Sequence, residues 1–398
     1  MLVEVRFMHA LLLALFLQGP VDNAVQIVMR SQHVAGLSVG IEHDGRVVYA
    51  RGYGERDTLR HLQADSQTVY RIGSLTKMFT ARAIETLARR GKLGLERPAA
   101  RYLPGFPWSA GVTVRDLLEQ RSGIPSYTDD DALNPYAWYA PSQLVGAVAR
   151  EPLQFAPGAQ FAYSNTNYVL LGMIAQRIAR MPFEDYLNAH VAAPLRLPRT
   201  RYGDQPGEAL GYRWDGREFL RATPSSPAYA FAAAAMSSNV PDLLRFLQTV
   251  RPPYYGLMQS EQFGSGVWYA SGNVNGYSAF AFVVPQTNDE AVILCNADSV
   301  DLAPLALDVL AALRPRGEQS GFGPAQNEDP AITTRMRARA AVLFAPLQIA
   351  LLEFLGRETK GQVTSVIYRV TLLDGSRLLL RAPLAADGSL GEISITPL

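Results

Sequence analysis

The apolar periodicity of this chain switches twice, from a period of two to a helical period and back, and nothing else in the sequence restricts its architecture as much. Alternation through Gly36–Glu42 and Arg46–Ala50, around His43-Asp44-Gly45, reads as two strands joined by an Asp-Gly turn. Helical spacing follows from Ser74 to Arg90, closed by Gly91, with Leu75, Met78, Phe79, Ala83, Ile84 and Leu87 forming a wide apolar face whose first turn should be buried. Further helical patterns cover Val114–Gln120, Pro141–Arg150, Asn167–Arg180 and Pro241–Val250. Strand character returns at Gly266–Ala270, Tyr277–Val284 and Ala291–Cys295, before a helix at Leu302–Leu313. Strands at both ends with helices between them predict one mixed α/β layer domain whose sheet joins distant parts of the chain.

With 398 residues, and roughly 150 residues per domain, two or three domains are expected. The run Met8–Leu17, preceded by Arg6 and followed by Gln18-Gly19-Pro20, reads as a secretory signal over residues 1–20, with a frayed or packed N-terminal helix as the alternative. The signal reading implies a secreted or periplasmic protein. Residues 21–314 then form the main domain, 315–331 a linker without apolar period, and 332–398 a small C-terminal α+β module. That module is expected to hold a helix around Arg335–Leu355, bent near Pro346, and strands at Val363–Leu372, Arg377–Arg381 and Gly391–Pro397. No segment reaches the ~18 apolar residues of a membrane span. Lys+Arg 37 against Asp+Glu 36 leaves +1, so no bulk attraction to nucleic acid or anionic membrane follows. The single cysteine, Cys295, excludes a disulfide framework or Cys-cluster metal site, and its apolar strand marks it as a buried small hydrophobe. No cofactor is expected, and the oligomeric state is left open.

Only Lys77, Lys92 and Lys360 are lysines, against 34 arginines. Arginine cannot practically give up its proton, whereas lysine can be tuned to do so, so each lysine invites a question. Ser74 and Lys77 lie three positions apart on a helix, hence on one face within hydrogen-bond reach. A buried lysine near a helix N-terminus has its charged form disfavoured, so it can act as a base near neutral pH or keep a neighbouring phenol deprotonated. Tyr163-Ser164-Asn165, after Phe155-Ala156-Pro157-Gly158, places a phenol, a hydroxyl and an amide on one tight loop. The plain alternative there is a capping loop, with Ser164 or Asn165 as the cap and Tyr163 in the core. Tyr127, the acidic Asp129-Asp130-Asp131, Tyr136, Trp138 and Tyr139 read as an acidic loop and lobe packing, or else as the edge of a substrate cleft.

Together, Ser74-x-x-Lys77, Leu117–Pro125, and Phe155-x-Pro157-Gly158-x-x-Phe161-x-Tyr163-Ser164-Asn165-x-x-Tyr168-x-Leu170-Leu171-Gly172 resemble the serine β-lactamase-related family. Class C β-lactamases, D,D-carboxypeptidases, D-aminopeptidases and related esterases belong to it. The resemblance runs from about Val21 to Arg314. It implies a β-lactamase/transpeptidase-like mixed sheet flanked by helices, with an all-helical lobe inserted and the site between them. It also implies Ser74 as nucleophile, Lys77 as its activating partner, Tyr163 as proton shuttle and Asn165 as a substrate-positioning amide.

The family's third element departs from the pattern. Gly276-Tyr277-Ser278 fits its later part, but counting back puts Ala270-Ser271-Gly272 where a Lys or His should open the triplet. By resemblance, the backbone N–H groups of Ser74 and Asn273 still make an oxyanion hole, with Ser271 and Gly272 beside it. What is lost is a charge-assisted contact to a substrate carboxylate, worth about 1.5–3 kcal/mol. The resemblance thus implies a serine hydrolase of small-molecule or peptide esters and amides, more esterase- or peptidase-like than an efficient β-lactamase. The alternative is a weakly active or inactive protein that binds a peptide or cell-wall fragment.

Overall fold

The computed structural model describes residues 19–108, 111–129, 133–264, 266–313, 336, 339, 349–360, 363–372, 377–385, 389–391 and 393–397. They fall into two compact units: Gln32–Gln259 with Gly266–Ala306, and Phe16–Ser31 with Ser260–Ser265 and Leu307–Leu398. Most of the expected signal segment and the linker 315–331 lie outside the described residues, and residues 19 and 20 open a helix, α1 (19–31).

The first unit starts with β1 (Gly36–His43), β2 (Arg46–Asp57), β3 (Leu62–Gln63) and β4 (Tyr70–Arg71). Helices follow: α2 (Thr76–Arg89), α3 (Val114–Leu118), α4 (Pro141–Val148), α5 (Asn165–Ala179) and α6 (Phe183–Leu187). Next come β5 (Arg201–Tyr202), β6 (Tyr212–Trp214), β7 (Phe219–Arg221), α7 (Pro227–Ala234), β8 (Met236–Ser238) and α8 (Val240–Leu247). The unit's last strands are β9 (Trp268–Val274), β10 (Tyr277–Val284) and β11 (Asp289–Cys295), and α9 (Ala303–Leu313) comes after them.

The main sheet has the order β3-β2-β1-β11-β10-β9. Its N-terminal and C-terminal hairpins meet where β1 pairs antiparallel with β11, Val39 opposite Ile293, as the periodicity required. Leu37, Val39 and Ile41 are fully buried. Between β4 and β5 the described elements are all helical, giving the expected lobe. Its core joins Met78, Phe79 and Ile84 of α2 to Val169, Leu170 and Ile174 of α5. Cys295 is buried, and burial pushes its thiol up to about 11.

The small sheet β4-β8-β5 and the helix α7 have no counterpart in the sequence reading. Strands of two or three residues are too short to show a period. The expected strand at Gly266–Ala270 begins at Trp268 and continues to Val274, because pairing with β10 extends it.

In the second unit, β12 (Ile349–Lys360), β13 (Val363–Leu372), β14 (Arg377–Leu384) and β15 (Ser394–Pro397) form an antiparallel meander. Val366, Tyr368 and Val370 pack with Leu380, Ala382 and Met336. The helix expected through Leu355 is corrected here: from Ile349 the chain is strand, paired along β13. A short apolar run reads equally well as buried helix or buried strand, and sheet pairing decides the matter. The same pairing carries the expected strand at Arg377 on to Leu384.

Candidate active site

Ser74 sits in the 3-10 turn Gly73–Leu75, one step ahead of α2. The turn starts from Gly73 at φ +51, a left-handed conformation that a side chain would strain. Strand β9 lies directly against it. A Cβ on Gly272 would stand 2.2 Å from the Ile72 carbonyl oxygen and 2.9 Å from the Ser74 nitrogen, and one on Gly73 would stand 2.8 Å from the Asn273 nitrogen. The glycines thus let the backbone of the Ser74 turn and that of β9 around Asn273 touch. Ser271 and Asn273 alternate with the buried Ala270 and Gly272, so their side chains lie on the exposed face of β9. Ala270, where a cation was expected, is buried and carries no charge.

Lys77 is 3% exposed. Its Nζ donates to Ser74 Oγ at 3.1 Å, to Asn165 Oδ1 at 2.8 Å and to the Ala233 carbonyl at 2.9 Å. Three acceptors match the three donors of an ammonium, and all of them are neutral. Burial lowers the Lys77 pKa, with the nearby Tyr163 pulling the other way. On the far side of Ser74, the Tyr163 hydroxyl lies 2.7 Å from Oγ. The four side chains picked out by the sequence are therefore hydrogen-bonded into one cluster. Of the capping alternative, Ser164 does stand at the N-cap of α5, but its hydroxyl donates to the Pro125 carbonyl and makes no cap bond, Asn165 is already helical, and Tyr163 is 43% exposed and not in the core.

Several residues the motifs did not point to hold this cluster. The Asn165 amide donates to Thr128 Oγ1 at 2.9 Å, and its backbone N–H to Ser126 Oγ at 3.0 Å. Gln120 Oε1 accepts from the Ser164 backbone and from Asn167 Nδ2, tying the Leu117–Pro125 motif to the Tyr163 loop. The Ala233 carbonyl reaches Lys77 because Phe231, inside α7, adopts φ 38 and ψ −137. Such a conformation costs about 1–3 kcal/mol and persists only under surrounding constraint. Here Phe231 is wedged against Phe183, and Thr80 Oγ1 donates to the Ala232 carbonyl. Only an unusual φ/ψ marks this device; nothing in a Phe-Ala-Ala string signals it.

Of the aromatic residues read as lobe packing or cleft edge, Tyr127 is buried against Tyr229 and Tyr139 packs on the core, whereas Tyr136 and Trp138 are exposed. Asp130 and Asp131 lie outside the described residues. Among the described residues there is no group of His, Cys, Asp or Glu suited to a metal ion, and no helix long and apolar enough to cross a membrane.

A lobe-and-sheet fold with a serine, a buried lysine and a tyrosine at the seam defines the class of β-lactamase-related serine hydrolases. The chain belongs to the Beta-lactamase family, whose model matches residues 21–314. It is 28% identical over 318 residues to Protein flp of Staphylococcus aureus, covering 71% of this chain and 64% of that relative's length. Among solved structures, D-amino acid amidase from Ochrobactrum anthropi superposes with a TM-score of 0.65 at 23% identity, over 75% of this chain and 98% of that one. The octameric penicillin-binding protein homologue from Pyrococcus abyssi also scores 0.65 at 23% identity, and it covers 96% of both chains. These two likenesses concern the fold.

Proposed function

We propose that this protein is a serine hydrolase that forms an acyl-enzyme on Ser74 and cleaves esters or amides lacking the carboxylate that a cation at position 270 would bind. The observation that carries this reading is the set of partners around Lys77. Once its amine is neutral, one position of the nitrogen needs a donor. Of the three partner atoms, Asn165 Oδ1 and the Ala233 carbonyl have no hydrogen to give, whereas Ser74 Oγ has one. The lone pair is thereby aimed at the nucleophile's proton.

Ser74 Oγ attacks the carbonyl carbon as its proton passes to Lys77, and the resulting oxyanion is met by the N–H groups of Ser74 and Asn273. When the bond to the leaving group breaks, that group receives a proton through Tyr163, which lies 2.7 Å from Ser74 Oγ. A water molecule then attacks the acyl carbon and gives one proton back through the same relay, releasing the acid and restoring the Ser74 hydroxyl.

A fluorophosphonate probe followed by peptide mapping tests this. Stoichiometric modification of Ser74, with loss of ester hydrolysis in Ser74→Ala, is the expected result. An unmodified Ser74, or hydrolysis that survives the substitution, would overturn it.

A further inference from the structure

The chain's net charge is only +1, yet one part of its surface collects positive charge without balancing it. A cavity of about 600 Å³, open to solvent, lies where the segment after α6 meets β5 and α8, and Arg196, Arg201 and Arg245 all line it. All three are exposed. No acidic residue is among the described residues that line it. Elsewhere Arg71 pairs with Asp204 and Glu208, Arg115 with Glu96 and Glu119, and Arg369 with Asp308. Arg196, Arg201 and Arg245 make no ion pair among the described residues.

The backbone around the cavity is fixed. After α6 it widens into one π turn, Asn188–Ala192, a rare form that is frequent at functional sites. Leu197, 3% exposed, anchors the segment in the core, and its N–H donates to the Ala192 carbonyl at 3.0 Å. Between these points Arg196 adopts φ +55, a left-handed conformation that costs a residue with a side chain about 1 kcal/mol or more. Arg245 clamps it there, its Nη1 donating to the Arg196 carbonyl at 2.6 Å. Asp242, three residues before Arg245, is buried, and its Oδ2 already accepts from the Arg199 N–H at 2.7 Å and the Thr200 hydroxyl at 2.9 Å. Burial raises the Asp242 pKa, and Arg245 counts for less against it than those two hydrogen bonds.

We propose that this cavity binds a small phosphorylated molecule carrying at least two negative charges. A guanidinium keeps its charge and offers a planar fork that matches phosphate oxygens two at a time. Three forks around one cavity would leave most of their donors unused on a chloride or a single carboxylate. A phosphoryl group concentrates about two charges and three acceptor oxygens in a compact volume. The cavity falls within the roughly 300–1,000 Å³ of small-molecule sites, which favours a small ligand over a macromolecular surface. None of these residues belongs to the Ser74 cluster, so the site stands whether or not Ser74 forms an acyl-enzyme.

Isothermal titration of the full chain with inorganic pyrophosphate at low ionic strength tests this. One saturable site is expected, weakening as NaCl is added. Arg201→Gln and Arg245→Gln should each raise Kd about tenfold, the scale of a charge-assisted hydrogen bond. Arg201→Lys, which keeps the charge but not the fork, should recover only part of that loss. Arg196→Gly suits the left-handed backbone, so it should weaken binding to a similar degree without lowering the melting temperature, which guards against a misfolded variant. Arg60→Gln, at a side chain 78% exposed and outside the cavity, should change nothing. No saturable binding by the parent, binding left unchanged in all three cavity variants, or an equal loss in Arg60→Gln overturns the site. Succinate bound as tightly as pyrophosphate overturns its preference for phosphate.

Discussion

Lys77 owes its role to what surrounds it: neutral acceptors, with no carboxylate among the atoms that bind its ammonium. Burial disfavours the charged form, so the amine loses its proton below the ordinary lysine value of 10.5. In the proposed mechanism the neutral amine takes the Ser74 proton, and its share grows as pH rises through the lowered pKa. The kcat/KM for an acetate ester should therefore climb along an acid limb whose midpoint lies below 10.5. Lys77→Arg should abolish that limb and lower kcat/KM by about 10²–10⁴, since a guanidinium keeps its proton; a pH–rate profile of parent and variant checks both outcomes. Thr128 acts one step back. Thr128→Val frees the Asn165 amide and should lower kcat/KM about three- to tenfold, the scale of one hydrogen bond, with Thr128→Ser restoring most of it in steady-state kinetics. Ser74, Lys77, Tyr163 and Asn165 were legible in the sequence because each carries its chemistry in a side chain inside a short motif. The Ala233 carbonyl was not, since every residue has a carbonyl and only the Phe231 backbone turns this one toward the amine.

The elements place these groups by contact between backbones. The turn before α2 and the middle of β9 approach so closely that Gly272 has no room for a side chain. In Gly272→Ala, backbone atoms of the Ile72–Ser74 turn block the new Cβ, so β9 must move away and carry the Asn273 N–H off the proposed oxyanion position. The expected loss in kcat/KM is about 10²-fold or more, while thermal melting should show the fold retained; near-parental kinetics would mean that β9 does not supply that donor. Long elements with full apolar stripes, such as α2 and β10, were legible in outline. The β4-β8-β5 sheet was not, because its short strands exist only through pairing across the chain. The strand β12 was misread for the complementary reason: an apolar run carries burial but not period, and its partner β13 lies later in the sequence.

At the scale of the whole molecule, the junction of β1 with β11 holds the two ends of the first unit together, and that junction contains a charge conflict. Glu42 and Glu290 face each other in register, each 2% exposed. Gln248 donates to Glu42, but Glu290 Oε2 has no hydrogen-bond partner. Burial, then repulsion from Glu42 and Asp289, pushes Glu290 up to about 7, with Arg251 pulling weakly the other way. A carboxyl raised in the folded state contributes stability that is fully present below its unfolded pKa, near 4.5, and is lost as pH rises through the folded value. Stability should therefore decline between about pH 4.5 and 8 through this group. Glu290→Gln keeps the shape and stays neutral, so its advantage over the parent should grow by about 1–3 kcal/mol across that window. Because β1 and β11 come from opposite ends of the unit, their separation unfolds the whole sheet, and urea titrations at pH 5 and pH 8 read the effect directly. A difference between parent and variant that stays constant with pH would show that Glu290 does not titrate between those values in the folded protein.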